Sequence, residues 1–597
     1  MDAKLTSHAT TSVNVPSVAS EAISDDVQRS EMLAYYWRKG IPSVVLAIVT
    51  LLLAGYSYSF VQPNIKQRYR DICARNFLHL EGNSPDQKKP EKSEPKQPWQ
   101  VETEGNDSEN NASKRGSDAR RRLLEQTQLC LRRLIIWDKS DDSIRYQSAQ
   151  VANLLADWWL DRARSIPLGE GNQNEIASLV ASSLAERKKA ADAMRAVQKL
   201  EGKYAAKALL WTTRQRLHDN LELPSDEIAT AATRVSELLA KVETSSTDEL
   251  KLEAGACLAE TFVRRTLNVS SLDRFDNDAK ENESKAIELQ PQVLSIFDDA
   301  PNASIEDLAW VAEAKAVTDL AAGQAMATRA LQAFWAKGQN DSVSVETLIA
   351  VFRSLILVNS IKESQVFLSE RIQQIAPFEQ SRFRSLAAAA CLRQIVLNTI
   401  AADTQGSDST QACLALFSMS LQLNPESEQA LEMLVAVSTP AKLDASSSRM
   451  KKLLGMNSEV DKSGRTDPAL DGGLRLLLSA CVGFHESPIS DVALANLKTA
   501  VKTTVVHAVV ASRLATRLVA SDSIRVEEAI RWTNAINVAS PEVLVAWSER
   551  AKLHLQNKEY SKAIECFEFL LGKLPGNEQL VEAIEAAKSQ LTSEGAR

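Results

Sequence analysis

Aromatic residues are scarce in this chain, at 5%, and glycine and proline number only 20 and 18 across 597 positions. Pleated sheets draw on aromatic and β-branched side chains, so the scarcity of aromatics weighs against a β fold. Few glycines and prolines leave little of the chain to turns. The seven cysteines are scattered with no C-x-x-C pair, which excludes a zinc knuckle and a thioredoxin-type redox pair. Buried free thiols in apolar helical contexts, and a reducing compartment, fit them better. Six histidines are present, and His485-Glu486 opens a zinc-protease pattern, but Ile489 stands where the second histidine is needed. His507 and His554 lie in helical contexts that suit packing. There is no phosphate-binding G-x-x-x-x-G-K-[ST] loop, and Gly169-Glu170-Gly171 lacks the third glycine of a dinucleotide fingerprint. A G-x-S-x-G nucleophile elbow is missing as well. The expectation is therefore no enzyme, no cofactor and no metal site. A net charge of −8 excludes a general nucleic-acid binder, which needs a positive field to displace counterions from phosphate.

Charge is absent altogether between Gly40 and Ile65. The segment Ile41 to Val61, IPSVVLAIVTLLLAGYSYSFV, is long enough as a helix to cross a hydrocarbon layer ~30 Å thick. Tyr35, Tyr36 and Trp37 precede it, and Tyr56, Tyr58 and Phe60 mark its other end, as interfaces favour. The apolar run exceeds a signal-peptide core of ~7–15 residues, so an uncleaved anchor over 39–63 is expected. Such an anchor makes this a single-pass membrane protein, as of a bacterial inner membrane or its equivalent. Arg29, Arg38 and Lys39 on one side balance Lys66, Arg68, Arg70 and Arg75 on the other, so charge leaves the orientation open.

Residues 1–38 carry no helical stripe and read as a disordered tail. Residues 64–118 read as a juxtamembrane segment and flexible linker. Gln67 to Leu80 can form a short basic helix at a membrane surface, and the stretch from Gly82 to Ser117 has too few apolar residues to fold. From Arg120 onward apolar residues recur at three, four and seven residue steps, as at Leu123, Leu124, Leu131, Leu134 and Ile135. Short polar breaks such as Lys139–Ser143 separate these helical stretches. No alternating strand pattern emerges.

A fixed period marks the C-terminal part. Ala495, Ala529 and Ala563 are 34 residues apart, as are Pro541 and Pro575. Small residues are what two helices need where they cross at ~8–10 Å. In the last unit, Leu544–Asn577, Trp547 and Phe567 can fill the wedge beside the Ala551/Ala563 crossing, Tyr560 opens the second helix and Pro575 ends it. With these residues the unit resembles the tetratricopeptide repeat (TPR) family. The resemblance is clearest at 510–543 and 544–577, extends over 394–577 and is only architectural over 119–393; residues 578–597 read as a capping helix and tail.

What the resemblance implies is an all-α fold, a right-handed superhelical array of antiparallel helix pairs, and the composition read above sets one transmembrane helix and a disordered linker before it. Together they imply a membrane-anchored scaffold that binds proteins or peptides in the concave groove of its first helices. Arg513, Arg517 and Arg550 lie on first helices and are the candidate partner-binding cations. The alternative is a structural or assembly subunit, or a chaperone-like factor for a membrane complex or exported proteins. Oligomeric state is not written in the sequence.

Overall fold

A computed structural model describes residues 41–56, 59, 62–80, 107–167, 169–219, 225–242, 248–268, 293–336, 343–401, 408–438, 472–485 and 488–595. The expected tail at 1–38 and most of the expected linker lie outside these residues. The described residues are helices and turns, with no β-strand among them. The chain forms two compact units, which divide between Tyr204 and Ala205.

The first unit holds α1 (Ile41–Tyr56), α2 (Gln62–Leu80), α3 (Asp107–Trp137), α4 (Asp142–Arg164) and α5 (Gln173–Gln198). Helix α1 keeps its large side chains exposed, Leu46 at 68% and Leu51 at 71%. Its 16 residues rise about 24 Å at 1.5 Å each, short of the ~30 Å hydrocarbon layer. No helix among the described residues is long and apolar enough to cross a membrane. Of the anchor expected over 39–63, residues 41–56 form α1 and the last two open α2, while residues 39, 40, 57, 58, 60 and 61 lie outside the described residues. Pro63 sits in the first turn of α2, where its fixed φ and missing N–H are accommodated.

Helix α2 does not stand alone as a surface helix but packs along α3. Asn76 donates to Thr127 at 2.9 Å in a buried contact, Tyr69 meets Trp137 with ring centroids 5.5 Å apart, and Lys66 reaches the Trp137 carbonyl at 3.4 Å. The pairing of 66 with 137 and 76 with 127 makes the two helices antiparallel. Leu124, Leu131, Leu134, Ile144, Val151 and Leu155 form the core beneath them, with Cys73 and Cys130. Asp141 caps α4 by accepting from the Ile144 amide at 3.2 Å, which fixes the break foreseen near Lys139. Helix α3 starts at Asp107, inside the stretch expected to be linker.

The second unit runs from α6 (Ala205–Asp219) to α22 (Glu578–Gly595). It continues through α7 (Ser225–Val242), α8 (Asp248–Thr266), α9 (Ile305–Thr318), α10 (Leu320–Ala336), α11 (Val345–Leu357), α12 (Ile361–Ile372) and α13 (Pro377–Ala401). Then come α14 (Asp408–Leu423), α15 (Glu428–Ser438), α16 (Gly472–Val482), α17 (Asp491–Thr503) and α18 (Val505–Ala520). The last are α19 (Val526–Ala539), α20 (Leu544–Gln556), α21 (Tyr560–Lys573) and α22. Helix starts follow from the residues: Ser304, Ser344 and Ser490 each accept from a backbone amide three residues on, at 3.1–3.3 Å.

From α16 to α20 each helix packs on its neighbour and on the next but one: α17 on α19, α18 on α20. Helices α19 and α21 start 34 residues apart, at 526 and 560, and end 34 apart, at 539 and 573. Ala551 and Ala563 are fully buried in one cluster with Phe567 and Leu570, Tyr560 is buried, and Ala529 is fully buried in the preceding pair. Pro541 and Pro575 sit exposed in the turns after α19 and α21. Trp547 stacks on Phe569 at 4.1 Å and donates its indole N–H to the Pro541 carbonyl at 3.0 Å.

The register slips one pair upstream. Ala495 is exposed, and the close approach falls to Ala493, whose Cβ a side chain at Gly483 would overlap. Helix α17 starts at Asp491, so the 34-residue step lands one turn-position past the crossing. We expect Gly483→Ala to lower stability by about 1–3 kcal/mol through overpacking. Ala495→Leu should stay within about 0.5 kcal/mol. Urea unfolding of the two variants checks the assignment, and equal effects would return the crossing to Ala495.

Candidate functional site

The first helices α15, α18 and α20 lie side by side and carry polar residues along their shared face. On α18, Arg513 donates to the Glu426 carboxylate at 2.7 Å, and one turn later Arg517 stands 3.9 Å from Glu432 on α15. Thr516, between them, donates to Glu549 of α20 at 2.7 Å, and Lys552 reaches the same carboxylate at 2.7 Å. Arg550 donates to His554 Nε2 at 3.3 Å and lies 5.7 Å from the Trp547 ring. The structure thus brings Arg513 and Arg517 onto one helix face, with Arg550 on the next helix. None of the three stands free, since each already has a partner. The face is a ladder of alternating charge that ties successive first helices together.

His554 is locked into this arrangement. Its Nδ1 side bonds Glu559 at 2.6 Å while Nε2 accepts from Arg550, and burial pushes its pKa below the ordinary value, so it is a neutral structural imidazole. His507 is likewise buried, bonded to Thr503 at 3.0 Å, with its pKa lowered by burial. All seven cysteines are buried and free. Among the described residues no three metal-ligating side chains converge. Between Phe484, Ile489 and the α18–α19 turn lies an open cleft, where Asp522, Arg525 and Glu528 form the polar wall. The turn there spans 521–525, against 557–559 in the next pair, and the extra residues open the cleft.

The most concentrated chemistry was not foreseen. Helices α8, α9, α11 and α13 pack around Trp310, and three arginines converge on its ring. The guanidinium of Arg353 lies 3.3 Å from the ring centroid, that of Arg393 5.4 Å and that of Arg264 5.5 Å. Arg353 and Arg393 both bind Glu313, at 2.6 and 3.3 Å, and Arg264 binds the fully buried Glu260 at 2.8 Å. His218 approaches Glu260 at 3.9 Å, and Arg214 pairs with Asp307 beside the cluster. Burial alone would raise the pKa of Glu313, but Arg353 and Arg393 more than offset it and hold the carboxyl below its ordinary value. Glu260 is lowered in the same way, burial being outweighed by Arg264 and then His218. The sequence did carry a signal: Arg353 is the single charge between Thr347 and Val358 in a run that is otherwise apolar. A buried charge in such a run needs a buried partner.

Against known proteins, no protein-family profile matches the chain and no curated protein matches it. Among solved structures, a crystal structure of the TPR domain of P58(IPK) aligns with 82% of this chain and 99% of that one. The identity is 14% and the TM-score 0.18, too low for the alignment to carry an argument. The repeat reading therefore rests on the helix spacing and packing of this chain itself.

Removing one partner of a buried ion cluster leaves uncompensated charge, which costs about 3–5 kcal/mol. Glu313→Ala is accordingly expected to lower urea-unfolding stability by that amount, far more than Glu432→Ala at the exposed pair. Because both carboxyls ionise more readily folded than unfolded, the unfolded chain takes up protons first on acidification. Their stabilising contribution is intact above the ordinary value of 4.5 and is lost as pH falls below it, through the lower folded values. Melting curves across this range should show a steeper acid loss for the parent chain than for Glu313→Gln.

Proposed function

We propose that this chain is a membrane-anchored helical-repeat scaffold that mediates protein–protein interaction and performs no catalysis of its own. The observation that carries the reading is the continuous polar face of α15, α18 and α20. Neighbouring first helices there align exposed and half-buried charges of both signs along a surface that an extended peptide or a partner helix can follow. Arg513 and Arg517 act in it as cations that exchange an internal carboxylate for one on the partner, and Arg550 as a cation that leaves His554 for one. Such an exchange gives specificity at little net cost, because the ion pairs it opens are largely exposed.

Anchoring is assigned to α1. A helix whose described large apolar side chains, Val45 to Tyr56, are exposed has no counterpart among water-facing surfaces, where such patches stay small. A hydrophobic stretch shorter than the bilayer is accommodated by local thinning and by flanking residues that reach the interface. This reading places the protein in a membrane as a single-pass protein.

The internal pairing of Arg513 and Arg517 favours a second reading, a structural subunit whose array is built for assembly rather than for capture of transient peptides. One experiment separates the two and tests the first. A photo-cross-linking residue at Lys552, on the groove face, should trap a discrete partner in membranes, while one at Glu568 on the outer helix should not. Combining it with Arg517→Glu should reduce the Lys552 adduct several-fold. An adduct that is as strong at Glu568, or none at either position, would sink the groove reading. A Lys552 adduct indifferent to Arg517→Glu and stable through purification of an integral complex favours assembly.

A further inference from the structure

Helices α2 and α3 are basic in an acidic protein. Together they hold eleven Lys and Arg against five Asp and Glu, while the whole chain carries −8. Their antiparallel packing sorts these charges onto faces. Arg70 on α2 points toward α4, where it meets Asp138 and Asp141 at 3.9 and 3.4 Å. On the flank away from α4, Tyr69 contacts Arg133 of α3. Helical periodicity then puts Ile65, Arg68 and Arg75 of α2 on the same outer face as Arg122, Leu129, Arg133 and Ile136 of α3.

That face is exposed and unusual in composition. Ile136 is 68% exposed, Leu129 52% and Ile65 38%, and these apolar side chains interleave with exposed arginines at 68, 75, 122 and 133. Arg68, Arg75 and Arg122 make no ion pair among the described residues, while of the acids beside the stripe Asp71 accepts from Gln67 and Glu125 is taken by Arg121, each at 2.8 Å. The positive charge is therefore available. The apolar side chains cluster at the end of the hairpin from which α1 departs, since Ile65 and Ile136 flank the contact between Lys66 and Trp137.

We infer that this face of the α2–α3 hairpin is a second membrane contact, which lays the hairpin on a lipid surface rich in anionic headgroups. The inference rests on the α1 anchoring reading and extends it. Apolar side chains at the headgroup boundary with arginines reaching phosphates between them is the arrangement by which helices lie on membranes. Arginine forks suit phosphate oxygens better than a point charge does. With α1 inserted, the hairpin is tethered at the surface, and its local concentration there makes weak contacts effective. The contact would hold the start of the first unit flat against the bilayer.

The test uses the full chain carrying Leu129→Cys, labelled with an environment-sensitive fluorophore; the native cysteines are all buried, so labelling in the folded state is selective. The labelled protein is mixed with vesicles of phosphatidylcholine alone, or of phosphatidylcholine with phosphatidylglycerol, some with brominated chains. The expected result is a blue shift and bromine quenching with the anionic vesicles only, reversed by high salt. The triple variant Arg68→Gln, Arg75→Gln, Arg122→Gln should weaken this contact by on the order of a hundredfold. A label that stays water-exposed on both vesicle types overturns the inference, and so does equal quenching on both. Flotation with neutral vesicles reports α1 separately. Its loss, with salt-sensitive quenching retained, defeats the anchor and leaves the anionic contact standing.

Discussion

Close approach of helix backbones at small residues is the constraint on which the array depends. At Ala551 and Ala563, at Gly483 and Ala493, and at Gly323 against Ala316 and the Ala312 carbonyl, a larger side chain would force the pair apart. Once each pair closes, its aromatic and aliphatic residues are presented sideways to the next pair. Trp532 is buried in this way, with its indole N–H on the Ala511 carbonyl at 2.9 Å and its ring 4.2 Å from Phe484. No helix buries its apolar face alone, so stability accrues between neighbours and spreads along the chain.

The charge cluster around Trp310 obeys the opposite logic. Glycine and alanine crossings ask only for the absence of bulk, whereas Glu260, Glu313, Arg264, Arg353 and Arg393 must all find one another in a nearly dry interior. Each carboxylate there is stabilised by more than one cation, and the Arg353 guanidinium lies over the indole ring. Such a network is weak evidence for net stability, because desolvation consumes most of the Coulomb gain. Its consequence is geometric: the charges of helices α8, α9, α11 and α13 meet in one mutual arrangement. The exposed pairs along α15 and α18 involve the same chemical groups under water, where they are exchangeable.

Much of this was legible in the residues. Helical periodicity from Arg120 onward gave the all-α class, and the 34-residue step gave the spacing of the second helices α19 and α21, while the first helices α18 and α20 start 39 residues apart, at 505 and 544, so that the unit expected from 510 begins inside α18. Trp547, Tyr560 and Phe567 marked the packing of the last unit because large side chains in a fixed register have few places to go. The step failed at Ala495 because alanine is common on every helix face, and spacing alone does not say which alanine faces its partner. The uncharged run read at 39–63 supplies α1 and the opening of α2, where Pro63 is accommodated in the first turn.

What the sequence determined by itself was local and periodic: helix content, the small-residue crossings of the final repeats, the exposed apolar run at 41–56 and the basic character of α2 and α3. Only the tertiary structure decided which charges meet. It paired Arg513 with Glu426 across 87 positions and Arg393 with Glu313 across 80, and it placed Ile65 and Ile136 on one face. The reason is physical: hydrogen-bonded helices are written in steps of three and four residues, but the partner of a side chain is set by how helices far apart in the chain come to lie together.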